Sequence, residues 1–153
     1  MRHTQTPVRL RLSGSGGEAY AKYLRKLIKE GGLGHRIVLE DRWISEAEKV
    51  DRLADCLGAA YLPLDEDSYG YPSLEASHAG KPVLTTTDSG GVLELVEDGI
   101  NGFVVEPDPI AIGGALDRLY LDRARATEMG QASLARLQDL NISWKHVLQR
   151  LLA

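Results

Sequence analysis

The stretch Asp67-Ser-Tyr-Gly-Tyr-Pro-Ser-Leu-Glu75, continued by Ala76-Ser-His-Ala-Gly-Lys-Pro-Val83, decides how this chain is read. Pro72 suits the first helical position, where its missing N–H would be unpaired in any case. Gly80 and Pro82 stop that helix, and Pro82-Val-Leu-Thr-Thr86 follows as a strand rich in β-branched residues. The stretch is therefore a loop that enters a helix and then returns to a sheet. The free N–H groups of the helix's first turn carry partial positive charge and attract phosphate. Gly70 lets a ligand approach the backbone. Glu75 can accept hydrogen bonds from a pair of hydroxyls. Two carboxylates, Asp67 and Glu75, thus flank a phosphate-binding turn, a combination that describes a nucleotide-sugar site.

Outward from this stretch, strand and helix alternate. Residues 8–12 alternate as a strand, and residues 13–17 form a tight glycine loop. Residues 18–30 read as a helix with Tyr20, Leu24, Leu27 and Ile28 on one face. Residues 36–40 are a second strand. Ser45-Glu-Ala-Glu48 is a capping box that opens a helix expected to bury Val50, Leu53, Ala54 and Leu57. Residues 59–63 are a short apolar strand, and residues 103–105 the last one. After Pro109 the chain is helical, closing with an amphipathic helix that begins at Trp144. The alternation predicts an α/β fold: a Rossmann-like parallel sheet of about five strands with helices on both faces, followed by C-terminal helices. Residues 1–153 read as a single domain without linker or repeat. Ligands of such folds bind beyond the carboxyl ends of the strands, where Asp67 to Glu75 falls.

With 153 residues the chain can bury a substantial core. A content of 43% hydrophobic and 26% charged residues is that of an ordinary globular protein. The net charge of −4 argues against nucleic-acid binding, which needs a concentrated basic face. One cysteine, Cys56, excludes an internal disulfide and suits a reducing compartment; its helical spacing beside Leu53 and Leu57 makes it a small buried residue. Residues 1–7 are polar and no stretch approaches a membrane span, so a cytoplasmic domain is expected. A longer parent at the periphery of a membrane is compatible with this. His3, His35, His78 and His146 are scattered and form no metal pattern.

Together these pieces resemble one family. The run from Asp67 to Pro82 is similar to the E-x7-E signature of glycosyltransferase family 4. A common family version reads E-G-F-G-L-P-x-L-E-A-M-A-x-G-x-P-V, and this chain has D-S-Y-G-Y-P-S-L-E-A-S-H-A-G-K-P-V. The likeness continues through Asp88-Ser-Gly-Gly-Val-Leu-Glu-Leu-Val-Glu-Asp-Gly-Ile-Asn-Gly-Phe-Val-Val105, which resembles G-G-x-x-E-x-V-x-D-G-x-N-G-x-L-V. Residues 36–57 resemble the strand and helix that precede the signature, and Ser143-Trp144 the start of the closing helix. The resemblance spans nearly the whole chain.

It implies one half of a GT-B architecture: the C-terminal, donor-binding domain of a retaining glycosyltransferase, with polysaccharide biosynthesis as a setting. By that resemblance Glu75 holds the ribose of the nucleotide, and Asp67, shorter than the family's Glu by one methylene, approaches the transferred sugar as the catalytic acid. The backbone of Gly70, Tyr71, Pro72, Ser73 and Leu74 meets the sugar and the phosphates, and the base lies near Trp43 and Ile44. Neither a metal nor a cofactor is implied; the partner is the nucleotide diphosphate sugar itself. The N-terminal acceptor domain is missing, as is the first strand-loop of the donor domain, where the family's diphosphate-binding Arg and Lys stand. In the strand order 3-2-1-4-5-6 that unit supplies a central strand. Either the remaining strands close the gap, or another chain fills it, or the register differs. A homo-oligomer is compatible with the second option. The isolated chain is expected to bind nucleotide weakly and to transfer nothing.

A rival begins at Gly14-Ser-Gly-Gly-Glu-Ala19, which follows a strand and opens a helix as a dinucleotide fingerprint does. Glu40 stands near the place of a ribose-binding acid. This would make the chain an NAD- or FAD-binding domain of an oxidoreductase, but it leaves Asp67 to Glu75 unexplained. A non-catalytic fragment or interaction module is the third class. Among single residues, Lys81 reads as a solvent-facing charge, Gly90-Gly91 as a structural turn or an anion-binding helix start, Trp43 as a base-stacking or partly buried aromatic, and Trp144 as core.

Overall fold

Strand and helix alternate along the chain in the computed structural model, which describes residues 1–152 apart from the side chain of Trp144. The expectation that Trp144 is core lies outside the described residues. In order the elements are β1 (Leu10–Gly14), α1 (Glu18–Glu30), β2 (Ile37–Asp41), α2 (Glu46–Asp55), β3 (Ala59–Ala60), α3 (Tyr71–His78), β4 (Val83–Thr86), α4 (Val92–Leu95), β5 (Gly102–Val105), α5 (Pro109–Leu121), α6 (Arg123–Asp139) and α7 (Trp144–Leu151). Every strand pairing is parallel, as helical crossovers require. The strands form two sheets, β1-β2 and β3-β4-β5. Among the described residues no strand pairing joins the two sheets.

The core is built around β4, whose four residues are all buried. Successive strand side chains point to opposite faces. Val83 therefore joins Ala76, Val92, Leu95 and Leu137 on one side, and Leu84 joins Phe103, Ala115, Leu119 and Met129 on the other. Helix α6 serves both sides, through Met129 and Leu137. Among the described residues no helix is long and apolar enough to cross a membrane.

The half made of β1, α1, β2 and α2 is thinner. Ala21 is the buried residue of α1, and α2 has none. Tyr20 and Leu27 are exposed, against the expected apolar face. On α2, which ends at Asp55 rather than near Leu57, Val50 and Ala54 are exposed and Leu53 half-buried, and Leu57 beyond it is half-buried, so the predicted burial of this helix does not occur. The reason is a polar bridge to the sheet. Arg52 lies 2.7 Å from Glu40 of β2 and donates to the Ser13 hydroxyl of β1 at 3.0 Å. The capping box forms as predicted, with Ser45 and Glu48 satisfying each other's amides. Arg42 and the Ser45 amide hold the Glu48 carboxyl down to about 2.

The polar amino-terminal segment, which reads as featureless in the sequence, ties the two halves together. Asp117 of α5 accepts from the Gln5 and Thr6 amides at 2.7 and 2.9 Å, and from the Thr6 hydroxyl. Arg36, just before β2, donates to the carbonyls of Thr6 and Val8 and to the Thr4 hydroxyl. Burial pushes the Asp117 carboxyl up, but the Thr6 hydroxyl, both amides and Arg36 outweigh it and hold the group below its ordinary value. A carboxylate held low when folded stabilises above its unfolded pKa, and that contribution is lost as pH falls through the folded value. Acidification below about 4 is therefore expected to loosen the segment. Asp117→Ala should loosen it at neutral pH, at a cost of about 1–3 kcal/mol. Hydrogen-exchange protection at the Gln5 and Thr6 amides reads both effects; unchanged protection in the variant would contradict the clamp.

Candidate functional site

The loop between β3 and α3 is held by its own polar groups and by the turn after β4. Tyr61 donates to Glu66 at 3.2 Å, and the Ser68 hydroxyl donates to the other Glu66 oxygen at 3.2 Å. The Gly91 amide donates to the Glu66 carbonyl at 2.7 Å, and the Asp65 amide to the Asp88 carbonyl at 2.8 Å. Ser89 is buried and gathers the Thr85 and Thr86 hydroxyls at the end of β4. Within the acidic run 65–67, Glu66 is thus turned into the loop. Asp67 is exposed and has no side-chain hydrogen bond or ion pair among the described residues. Gly90-Gly91 is a structural turn: Gly90 has φ +66, and a Cβ there would lie 2.4 Å from the Glu66 carbonyl oxygen. The signal for this role lay in the sequence as a glycine pair, but not its contact with the loop that carries Asp67.

Helix α3 begins at Tyr71, with Gly70 at its N-cap and Pro72 one position later than predicted. Gly70 has φ +68, and the Tyr61 ring packs where a Cβ would stand. Among the described residues no side chain caps the helix. The Gly70 amide instead donates to the Ser68 hydroxyl at 3.2 Å. Ser73 is wholly buried, its hydroxyl turned back onto the Gly70 carbonyl at 2.8 Å and onto that of Tyr69. Tyr71, 79% exposed, and Pro72 are the open members of the turn, and Leu74 is half-buried.

Glu75 lies half-buried farther along α3 and accepts from Lys49 of α2 at 2.7 Å. Lys49 also reaches Glu46 at 3.0 Å. These two hydrogen bonds, that to Glu75 first, hold the Lys49 ammonium above its ordinary value. At the far end of α2, Lys81 donates to the Ala54 and Cys56 carbonyls at 2.8 and 2.9 Å. It is a helix cap, not the solvent-facing charge the sequence suggested. Cys56 is half-buried, and burial pushes its thiol up. The reading from the sequence missed Lys49, because a lysine in a first helical turn gives no sign of which neighbouring helix it meets.

Trp43 is 84% exposed, so the partly buried alternative is excluded, and Ile44 beside it is half-buried. Both follow β2 and precede the cap of α2. A groove of about 290 Å³ lies elsewhere, between β1, β2 and α1, lined by Leu12, Gly14, Tyr20, Leu24 and Asp41. It contains the glycine loop of the dinucleotide rival. That rival loses its second element, because Glu40 is occupied by Arg52 and by the Ser13 hydroxyl at 2.9 Å. Among the described residues no group of three or more His, Cys, Asp or Glu side chains is placed to hold a metal.

Comparison with known proteins places the chain in a family. The family model described as "Glycosyl transferases group 1" matches residues 1–136. The human alpha-1,3/1,6-mannosyltransferase ALG2 is 30% identical over 116 residues, covering 76% of this chain and 27% of that protein. The chain thus spans about a quarter of the length of this curated relative. Anabaena Alr3699/HepE, solved in complex with UDP, superposes with a TM-score of 0.77 at 25% identity, over 90% of this chain and 38% of that one. The C-terminal domain of LpcC, a glycosyl transferase group 1 protein from Francisella tularensis, shares the fold with a TM-score of 0.63 at 24% identity, over 79% of this chain and 62% of that domain. Fold, signature and matched span agree: this chain belongs to the group 1 glycosyltransferase family.

Proposed function

We propose that the chain is the donor-binding half of a retaining glycosyltransferase that moves a sugar from a nucleotide diphosphate sugar to an acceptor hydroxyl. The observation that carries this reading is the pair of acids around the Gly70 turn. Among the described residues Asp67 is exposed and unpaired, and Glu75 is held by Lys49 through one oxygen, with no partner on the other. Glu75 accepts the ribose hydroxyls, which suit an ionised carboxylate. The N-terminal end of α3, open at Tyr71, faces the diphosphate. Trp43 offers an exposed ring for the base. Asp67 lies against the hydroxyls of the sugar.

In the reaction the bond from the sugar's anomeric carbon to the diphosphate oxygen breaks. The bond to the acceptor oxygen forms on the same face, and the acceptor's proton leaves with the diphosphate. No protein nucleophile is needed. Neutralising the leaving diphosphate is a large part of such catalysis. No cation among the described residues is hydrogen-bonded to the Gly70 turn. The ALG2 relative is a mannosyltransferase and the HepE structure holds UDP, which supports a nucleotide-sugar donor for this chain as well.

Titration with UDP, GDP and their sugar conjugates, followed by amide resonances, tests the reading. The expected result is saturable shifts at Gly70, Tyr71 and Ser73 through Glu75 with the nucleotides, and none with NAD. Shifts confined to Gly14 through Ala19, or no response at all, would contradict it.

A further inference from the structure

Lysine contacts tie α2 to the α3 region near both of its ends. At one end Lys81 caps α2 through the Ala54 and Cys56 carbonyls. At the other, Lys49 bonds Glu75. The first contact is structural. The second takes hold of an acid that has work to do at the rim. Lys49 meets Glu75 only through Oε1, at 2.7 Å, and Oε2 accepts nothing from the described residues. Lys49 is 26% exposed and Glu75 36%, so the pair is sheltered enough to keep one geometry without being cut off from a ligand. Glu46, 86% exposed, completes the hold on the ammonium from the first turn of α2. That turn is itself fixed by the Ser45–Glu48 capping box.

We infer that Lys49 is a positioning residue: by engaging one oxygen of Glu75, it presents the other to the ribose hydroxyls of the nucleotide, and so sets the preference for a ribonucleotide over its 2′-deoxy counterpart. This rests on the reading of Glu75 given above. A flexible carboxylate accepts hydroxyls in many orientations and loses entropy on binding; one already fixed by a charge-assisted hydrogen bond loses less. Lysine and arginine both carry the charge, so Lys49→Arg should retain much of the effect, with altered geometry. Lys49→Met removes it and keeps the length of the stem.

The test is a binding comparison of the full chain and its Lys49→Met, Lys49→Arg, Glu46→Gln and Glu75→Gln variants, with UDP, GDP and their 2′-deoxy forms as probes. Lys49→Met is expected to weaken the ribonucleotides on the order of tenfold, to weaken the 2′-deoxy forms less because they keep only the 3′ hydroxyl for Glu75, and to add nothing in the Glu75→Gln background. Lys49→Arg should restore most of the loss, and Glu46→Gln should change little. An equal loss for ribo and deoxy probes would mean that Lys49 meets the phosphates, and would overturn the inference. So would a Lys49→Met protein that binds all probes like the wild type. If instead Glu75→Gln binds as the wild type does, or the wild type binds no probe, the reading of Glu75 itself fails and this inference falls with it.

Discussion

Gly90→Ala is expected to destabilise the chain by about 2–4 kcal/mol and to shift the loop that carries Asp67. Two effects add. The residue has φ +66, a left-handed conformation that costs a side chain about 1–2 kcal/mol. A Cβ would also stand 2.4 Å from the Glu66 carbonyl oxygen and 2.7 Å from its amide nitrogen, and backbone cannot step aside as a flexible side chain can. The loop must therefore move, which breaks the Gly91–Glu66 hydrogen bond and the Asp65–Asp88 one. Gly91→Ala is the control. Its φ of −59 suits alanine, and its Cβ would meet the Ser68 carbonyl oxygen at 3.0 Å, so a smaller loss is expected. Urea unfolding checks both: the midpoint should fall markedly for Gly90→Ala with an unchanged slope. A midpoint equal to the wild type's would show that the turn does not support the acidic loop.

Glu75→Gln is expected to weaken nucleoside diphosphate binding by about 10- to 100-fold while leaving the fold intact. The size follows from replacing a charged acceptor by a neutral one, where hydrogen bonds to charged groups contribute about 1.5–3 kcal/mol. The stability cost is small because the Lys49–Glu75 pair is partly exposed, and such pairs contribute about 0–1 kcal/mol. Calorimetric titration of wild type and variant, with thermal unfolding of each, separates the two effects. Equal affinities would remove Glu75 from the ribose.

The fold class was readable because its signals are local. The capping box at Ser45, the stop at Gly80 and Pro82 and the buried run of β4 each act within a few residues, and all of these features stand where they were expected. The signature from Asp67 to Glu75 was readable for the same reason, since a loop, a glycine and a helix start are adjacent in the chain. What the sequence concealed depends on contacts far apart along it. The Asp117 clamp on Gln5 and Thr6 joins positions more than a hundred residues apart. The Lys49–Glu75 and Lys81–Cys56 contacts each cross from one helix region to another. Periodicity also misjudged α2: its apolar spacing suggested burial, but the sheet face that Arg52 reaches is polar, and Val50 stays exposed. Amphipathic spacing records which face a helix could bury and not whether apolar surface waits for it.

The central claim is that the acids on either side of the Gly70 turn grip a nucleotide sugar. A crystal structure of the chain grown with a nucleoside diphosphate sugar tests it most directly. The account predicts ribose hydroxyls within hydrogen-bond distance of the Glu75 carboxylate, the diphosphate at the Tyr71 end of α3, and the sugar beside Asp67. Nucleotide bound instead in the groove between β1 and α1, with Glu75 still paired only to Lys49, would contradict it.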